Sequence, residues 1–223
     1  MVTGVSRRQA IGAAVARRLA ADGASVFLQS WSAYDRQTAW GADPNGPDEL
    51  VGELRGTGAR AGHQAVDFSD PGAPAAVMRA AQDAFGHVDI LVANHARSHR
   101  QNLQQLTAAE LDTAFAVNTR ATLLLVQAFA AQHDDTRSGG RVFLFTSGQY
   151  HGAMPDELPY IASKAALHEL TRASPCTSHP GTSPSTASIQ VPTTRGGPTR
   201  MSSRRARRGF PVADGAPHAT RHA

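Results

Sequence analysis

Lysine is nearly missing from this chain of 223 residues: of its 22 basic residues, 21 are arginine and one, Lys164, is lysine. Cysteine is as scarce. The single Cys176 excludes a disulfide framework and a cysteine-rich metal site. Ten histidines are present, but none has ligand spacing such as H-E-x-x-H, so no metal site is signalled. No continuous run of about 18 apolar residues occurs and no charged-then-apolar leader opens the chain. The expectation is a soluble, cytoplasmic protein with no membrane partner. The length suits one sizeable α/β domain.

Acidic residues are scarce only locally. Residues 174–223 carry seven arginines against one acid, Asp214, for a net charge of +6, whereas residues 1–173 carry 15 basic and 17 acidic residues, for a net −2. The basic character therefore belongs to the tail. Nucleic acid is not implied as a partner of the folded part.

The one lysine stands four residues after Tyr160. On a helix, positions i and i+4 share a face, which brings ammonium and phenol together. A neighbouring cation favours phenolate and lowers a tyrosine pKa, making Tyr160 a candidate general acid or base. The alternative is a tyrosine packed over a surface turn with a lysine nearby by accident.

Along residues 1–173, strand and helix patterns alternate. Met1–Thr3 reads as the end of a strand and runs into a glycine turn. Ala10–Asp22 has Ile11, Val15 and Leu19 at helical spacing, with Gly23 to end it. Strands are expected at Ser25–Ser30, Gly62–Phe68, Val88–Asn94 and Arg141–Thr146. Helices are expected at Pro47–Arg55, Pro71–Phe85, Thr107–Gln132 and Pro159–Ala173. Pro47 suits a first turn, and Thr107 with Glu110 makes a capping box. This alternation predicts an α/β fold, a Rossmann-type doubly wound parallel sheet. The turn Thr3-Gly4-Val5-Ser6-Arg7-Arg8-Gln9-Ala10-Ile11-Gly12 leads from strand to helix, where backbone N–H groups and a helix N-terminus attract a pyrophosphate.

With these motifs in this order, the chain resembles the short-chain dehydrogenase/reductase family, in particular bacterial 3-oxoacyl reductase-like members. The resemblance covers about residues 1–173. It rests on Thr3, Gly4 and Gly12 of the turn, on Asp67-Phe68, and on Asn94 within Ala93-Asn94-His95-Ala96, where the family has N-N-A-G. It rests also on Asn118 in F-A-V-N, on Ser147 thirteen residues before Tyr160, and on Tyr160-Ile-Ala-Ser-Lys164 as Y-x-x-x-K. Two departures stand out: the turn is two residues longer than the common form, with Ala10 for its middle glycine, and His95 replaces the usual alanine.

The resemblance implies an NAD(P)-dependent oxidoreductase that interconverts a carbonyl and a secondary alcohol of a small-molecule substrate by hydride transfer. Tyr160 is then the proton donor, Lys164 lowers its pKa and binds the nicotinamide ribose, Ser147 bonds the carbonyl oxygen, and Asn118 holds a water that links Lys164 to solvent. The implied cofactor-binding positions are Gly4, Ser6, Arg7, Arg8, Ile11, Gly12, Ser30, Asp67, Phe68, Asn94, Tyr160 and Lys164. NADP is favoured over NAD. Ser30, not an acid, ends the second strand, and Arg7 and Arg8 suit a 2′-phosphate.

Both ends depart from the family. Only Met1 and Val2 precede the turn, where a central strand normally has five or six residues. The true start is therefore expected upstream. Residues 174–223 hold seven each of Ser, Thr, Pro and Arg without apolar periodicity, and are expected to be disordered. Regrouping the last base of each codon with the first two of the next lets residues 177–197 read HLAPRDIAVNCINPGPNDTGW, which resembles the family's C-terminal segment. The tail thus reads as out-of-frame translation from a frameshift near residue 173, which truncates the sheet on its C-terminal side. Homo-oligomers are usual in the intact family and doubtful for such a chain. Two alternatives stand beside the enzyme: an inactive fragment that binds nucleotide, and a binding protein whose Arg200–Arg208 stretch attracts nucleic acid or an acidic membrane.

Overall fold

The computed structural model describes residues 1–134, 140–148, 152–173 and 186–190. Strands β1 (Val26–Ser30) and β2 (Ala61–Ala65) pair in parallel, as do β3 (Ile90–Ala93) and β4 (Arg141–Phe145). Val2 joins the two pairs, with parallel bridges to Leu28 and to Val92. Its N–H donates to Phe27 O at 2.9 Å and its carbonyl accepts from Gln29 N at 3.0 Å. Val2 therefore lies at the centre of the sheet, between β1 and β3. The amino group of Met1 is buried there, donates to Ile90 O at 2.7 Å, and has its pKa pushed down to about 5 by desolvation.

Side chains alternate across the strands, as a pleat requires. Phe27, Leu91, Ala93, Val142 and Leu144 pack on one face with Val77, Met78, Leu125 and Phe129. Val26, Leu28 and Val92 pack on the other with Ala13, Ala16, Leu50 and Leu54. The first face is covered by α4 (Ala73–Phe85) and α6 (Ala121–Gln132), the second by α1 (Ile11–Ala21) and α3 (Gly46–Gly56). A short α2 (Ser32–Asp35) follows β1. Helices on both faces of a mostly parallel sheet make the expected doubly wound α/β fold.

The long helix has three parts: α5 (Ala108–Ala114), a π-helical turn (Phe115–Arg120) and α6. Among the described residues this one helix, Ala108–Gln132, is long and apolar enough to cross a membrane. Its buried Glu110, Asn118 and Thr122 all bond to other residues of the domain, which is how a core helix behaves. The capping box forms only by half. Thr107 Oγ1 accepts from Glu110 N at 3.3 Å, while the Glu110 carboxylate turns away to Arg97.

α7 (Leu158–Ala173) carries Tyr160 and Lys164. Beyond it the sequence reading needs correction, because Thr186–Gln190 is not disordered. It forms β5, paired antiparallel to β4 from Arg141↔Gln190 to Phe145↔Thr186. The sheet is thus not wholly parallel. An open edge of unpaired N–H and C=O groups accepts any extended segment that reaches it, and Thr186 and Ile189 favour the extended state. The rest of the tail, including Arg200–Arg208, lies outside the described residues.

Candidate active site

A cavity of 520 Å³ opens at the C-terminal ends of the strands. The glycine turn forms one wall. Gly4 has φ +70°, and a Cβ there would lie 2.6 Å from the Cα of His95. Only glycine allows this close approach. α1 then starts behind Ala10, which supplies no side-chain cap. Its first-turn N–H groups lack a side-chain acceptor, and Ala10 and Ile11 line the cavity. An uncapped helix end beside a glycine turn is a fit for a dinucleotide pyrophosphate, and the volume falls in the range of small-molecule sites.

Of the expected cofactor positions, Gly4, Ser6, Arg7, Ile11, Asp67, Phe68 and Asn94 line this cavity. Five others do not: Arg8, Gly12 and Ser30, and also Tyr160 and Lys164, which lie beside it. Arg8 is committed to Asp43, at 3.0 Å, and to Glu49. Ser30 is fully buried and shares a hydrogen bond of 2.8 Å with His63 Nε2, so the next residue, Trp31, takes its place on the wall. Gly12 serves packing instead, since a Cβ there would come within 2.8 Å of Asn94 Nδ2 and of Gly4 O. Arg7 is engaged too. It sits 3.4 Å from Asp35 and its guanidinium lies 5.4 Å from the Trp40 ring centroid.

The cavity floor is braced by polar side chains. Asn94 Nδ2 donates to Thr3 O and Gly4 O, both at 3.1 Å. Gln29 Oε1 accepts from Gly4 N at 3.0 Å, and its Nε2 donates to Val66 O at 2.9 Å. The buried His95 ties the turn to the long helix. Its Nδ1 shares a 2.7 Å bond with Thr3 Oγ1, its Nε2 lies 3.0 Å from Val117 O, and its ring packs on Phe68. Val117 O can only accept, so the neutral imidazole carries its proton on Nε2. Burial, with the nearby Lys164 charge second, pushes its pKa down to about 3.

The four expected catalytic residues converge beside this cavity without lining it. Ser147 lies beside Tyr160, near enough for its hydroxyl to favour the phenolate. Lys164, on the next turn of α7, is buried and donates to Phe145 O at 2.8 Å. Asn118 is fully buried in the π turn. Its Oδ1 accepts from Arg97 N at 2.7 Å, and its Nδ2 donates to Arg97 O and to Ser163 Oγ, both at 2.8 Å. Both amide protons are therefore spent on protein atoms, and a water held by Asn118 has only its remaining acceptor capacity to use.

One electrostatic expectation is overturned. Tyr160 is pushed up from the ordinary tyrosine value, not down. Desolvation is the main cause, the Ser147 hydroxyl opposes it, and the negative charge of Glu157 adds to it. The Lys164 ammonium is turned to the Phe145 carbonyl, and burial lowers its own pKa to about 8.

Sequence reasoning missed Gln29, Tyr34, Arg97 and Ser163. Gln29 left a trace as the amide in the apolar run VFLQS, and Ser163 stands inside Y-I-A-S-K itself. Nothing local marked Tyr34 or Arg97.

The short chain dehydrogenase family pattern matches residues 1–182. The chain belongs to that family. It is 34% identical over 173 residues to the uncharacterized oxidoreductase YjdA of Bacillus subtilis, covering 77% of this chain and 65% of that protein. Among solved structures it is similar to a blue fluorescent protein from a metagenomic library in complex with NADPH, with TM-score 0.67 and 33% identity, over 77% of this chain and 65% of the other. It is also similar to a 3-oxoacyl (acyl-carrier-protein) reductase from Agrobacterium tumefaciens C58 with NADP bound, with TM-score 0.65 and 31% identity, over 77% and 61%. The chain thus spans just under two thirds of the length of YjdA and of these structures. YjdA is named an oxidoreductase, and these two solved structures hold NADPH and NADP respectively.

Proposed function

We propose that this chain interconverts a carbonyl and a secondary alcohol of a small molecule, with NADP(H) as the redox partner. A bound nicotinamide dinucleotide supplies the hydride. The observation that carries the reading is the Ser147 hydroxyl beside Tyr160, with Lys164 one turn further along α7. The Tyr160 hydroxyl holds the proton that a carbonyl oxygen needs. The Ser147 hydroxyl, beside it, can donate to the same oxygen as charge develops. Lys164 supplies a buried amine on the same helix, hydrogen-bonded to Phe145 O. Asn118 fixes the loop at Arg97 and, through Ser163, holds α7 against the long helix.

NADP is preferred to NAD through one residue. Arg7 lines the cavity and is paired with Asp35, so a 2′-phosphate competes with Asp35 for a single guanidinium. The mouth also carries Trp31 and Trp40, flat surfaces suited to a purine.

The test is a titration of the full chain with NADPH and with NADH, followed by NADPH consumption against a panel of ketones and aldehydes. Tyr160→Phe should lower turnover by roughly 10²- to 10⁴-fold and leave NADPH affinity nearly unchanged. Tight NADPH binding without turnover of any carbonyl by the unmodified chain would reduce the reading to a nucleotide-binding protein.

A further inference from the structure

Ser30 ends β1, where an acid would accept from a ribose 2′-hydroxyl, and it is turned away to His63. The acid that the fold brings to the cavity comes five residues later. Asp35 ends α2, lines the cavity and has a side chain only 11% exposed. Its backbone is fixed from two sides. Its carbonyl accepts from Thr38 Oγ1 at 2.7 Å and from Thr38 N at 3.1 Å. The neighbouring Tyr34 Oη donates to Ser98 O at 2.7 Å and accepts from Ser98 N at 2.9 Å, which fastens α2 to the loop after β3.

The Asp35 carboxylate makes two contacts, both through Oδ1. Trp40 Nε1 donates to it at 3.1 Å, and Arg7 Nε stands 3.4 Å away. The ion pair is loose by the standard of the same cavity. Arg97, the other cation on its wall, is held bidentately by Glu110 at 2.8 and 2.7 Å. Arg7 has one long contact and a side chain 35% exposed. Asp67, the other carboxylate on the wall, is turned to its own loop, where it accepts from Ser69 N at 2.8 Å. Beyond the wall, Asp43 and Glu49 are taken by Arg8. Arg7 is thus the cation that can turn to a ligand, and Asp35 the anion that stays in place when it does.

We propose that Asp35 determines how this chain discriminates between the two nicotinamide dinucleotides, by holding Arg7 and by offering an acceptor to a ribose 2′-hydroxyl. The proposal rests on a dinucleotide as the occupant of the cavity, as read above. Arg7 must leave Asp35 to meet a 2′-phosphate. The carboxylate left behind, kept in place by Trp40 and α2, repels that second anion. Asp35 does not repel a 2′-hydroxyl and can accept from it. Arg7 therefore favours NADPH, and Asp35 holds that preference down so that NADH is accepted as well.

The test is calorimetric binding of NADPH and of NADH to the full chain, with no substrate present. Asp35→Asn keeps an acceptor for Trp40 Nε1 and removes the charge. It should tighten NADPH binding by about tenfold without tightening NADH binding, so that the affinity ratio rises by the same factor. Adenosine 2′,5′-bisphosphate and adenosine 5′-monophosphate, which probe the adenosine end alone, should show the same change. Placed in an Arg7→Gln background, Asp35→Asn should gain less for NADPH, because no guanidinium is released. If Asp35→Asn does not unfold cooperatively in urea, Asp35→Ser reads the same ratio. An unchanged ratio overturns the proposal, as does an equal gain in the Arg7→Gln background. Failure of the unmodified chain to bind either dinucleotide refutes the reading of the cavity itself, whereas binding of both with a ratio indifferent to Asp35 refutes only the role of Asp35.

Discussion

The two halves of the site are built on different terms. The floor of the nucleotide half, at Thr3, Gly4, Gln29, Asn94 and His95, is held by neutral hydrogen bonds and close backbone contact, with the ion pairs of Arg7 and Arg8 at its rim. Asn94, Gln29 and His95 each brace the glycine turn, and none needs a charge to do it. The catalytic half, from Ser147 to Lys164, gathers ionisable groups in a dry setting, with Lys164 2% exposed. One half is shaped by geometry, the other by the cost of burying charge. The nucleotide half should therefore respond to volume and be indifferent to pH. The catalytic half should respond to pH and tolerate small changes of shape.

The largest expected contrast is at Lys164. Its folded pKa of about 8 lies below the unbound value of 10.5, so between these limits the unfolded chain binds more protons than the folded one. Stability therefore rises with pH across that window, by roughly 3 kcal/mol. Lys164→Met should lack this rise, and urea unfolding of both proteins at pH values spanning 8 to 10.5 would show it. Equal pH dependence in the two proteins would remove the electrostatic side of the comparison.

Next comes Gly4. Alanine there meets a positive φ and a backbone atom at 2.6 Å, so Gly4→Ala should cost about 1–3 kcal/mol and weaken NADPH binding at every pH. Gly12→Ala meets a side-chain amide and the Gly4 carbonyl, both at 2.8 Å. Its penalty should also be independent of pH, and calorimetry at two pH values tests both variants. The smallest effect, and one that should touch neither half, is at the cap of the long helix. Thr107→Ala should lower stability by about 1 kcal/mol with the pH profile of Tyr160 unchanged.

The contrast also explains what was legible in the sequence. Strand and helix periodicity placed the elements from Ala10 to Ala173, because one-sided burial imposes those periods on the residues themselves. The motifs placed Gly4, Asn94, Ser147, Tyr160 and Lys164 together, because their spacing is tied to single turns. Partners chosen by tertiary approach were not legible. Arg8 looked free until Asp43 and Glu49 met it, and Lys164 seemed aimed at Tyr160 until the Phe145 carbonyl accepted its hydrogen bond. The direction of the Tyr160 shift was missed for the same reason: i to i+4 spacing reports proximity, whereas burial depends on everything packed around the pair. β5 was missed because no periodicity in residues 174–223 announced it, and an open strand edge needs none.

The two bridges of Val2 have a mechanical consequence. Val2 is the staple between the β1–β2 ribbon and the β3–β4–β5 ribbon, and Thr3 beside it anchors both Asn94 and His95. Loss of the Val2 bridges therefore parts the sheet along its midline and slackens the floor of the cavity in the same event. Amide exchange should register that opening as one cooperative unit, with the Gly4, Asn94 and His95 N–H groups losing protection together.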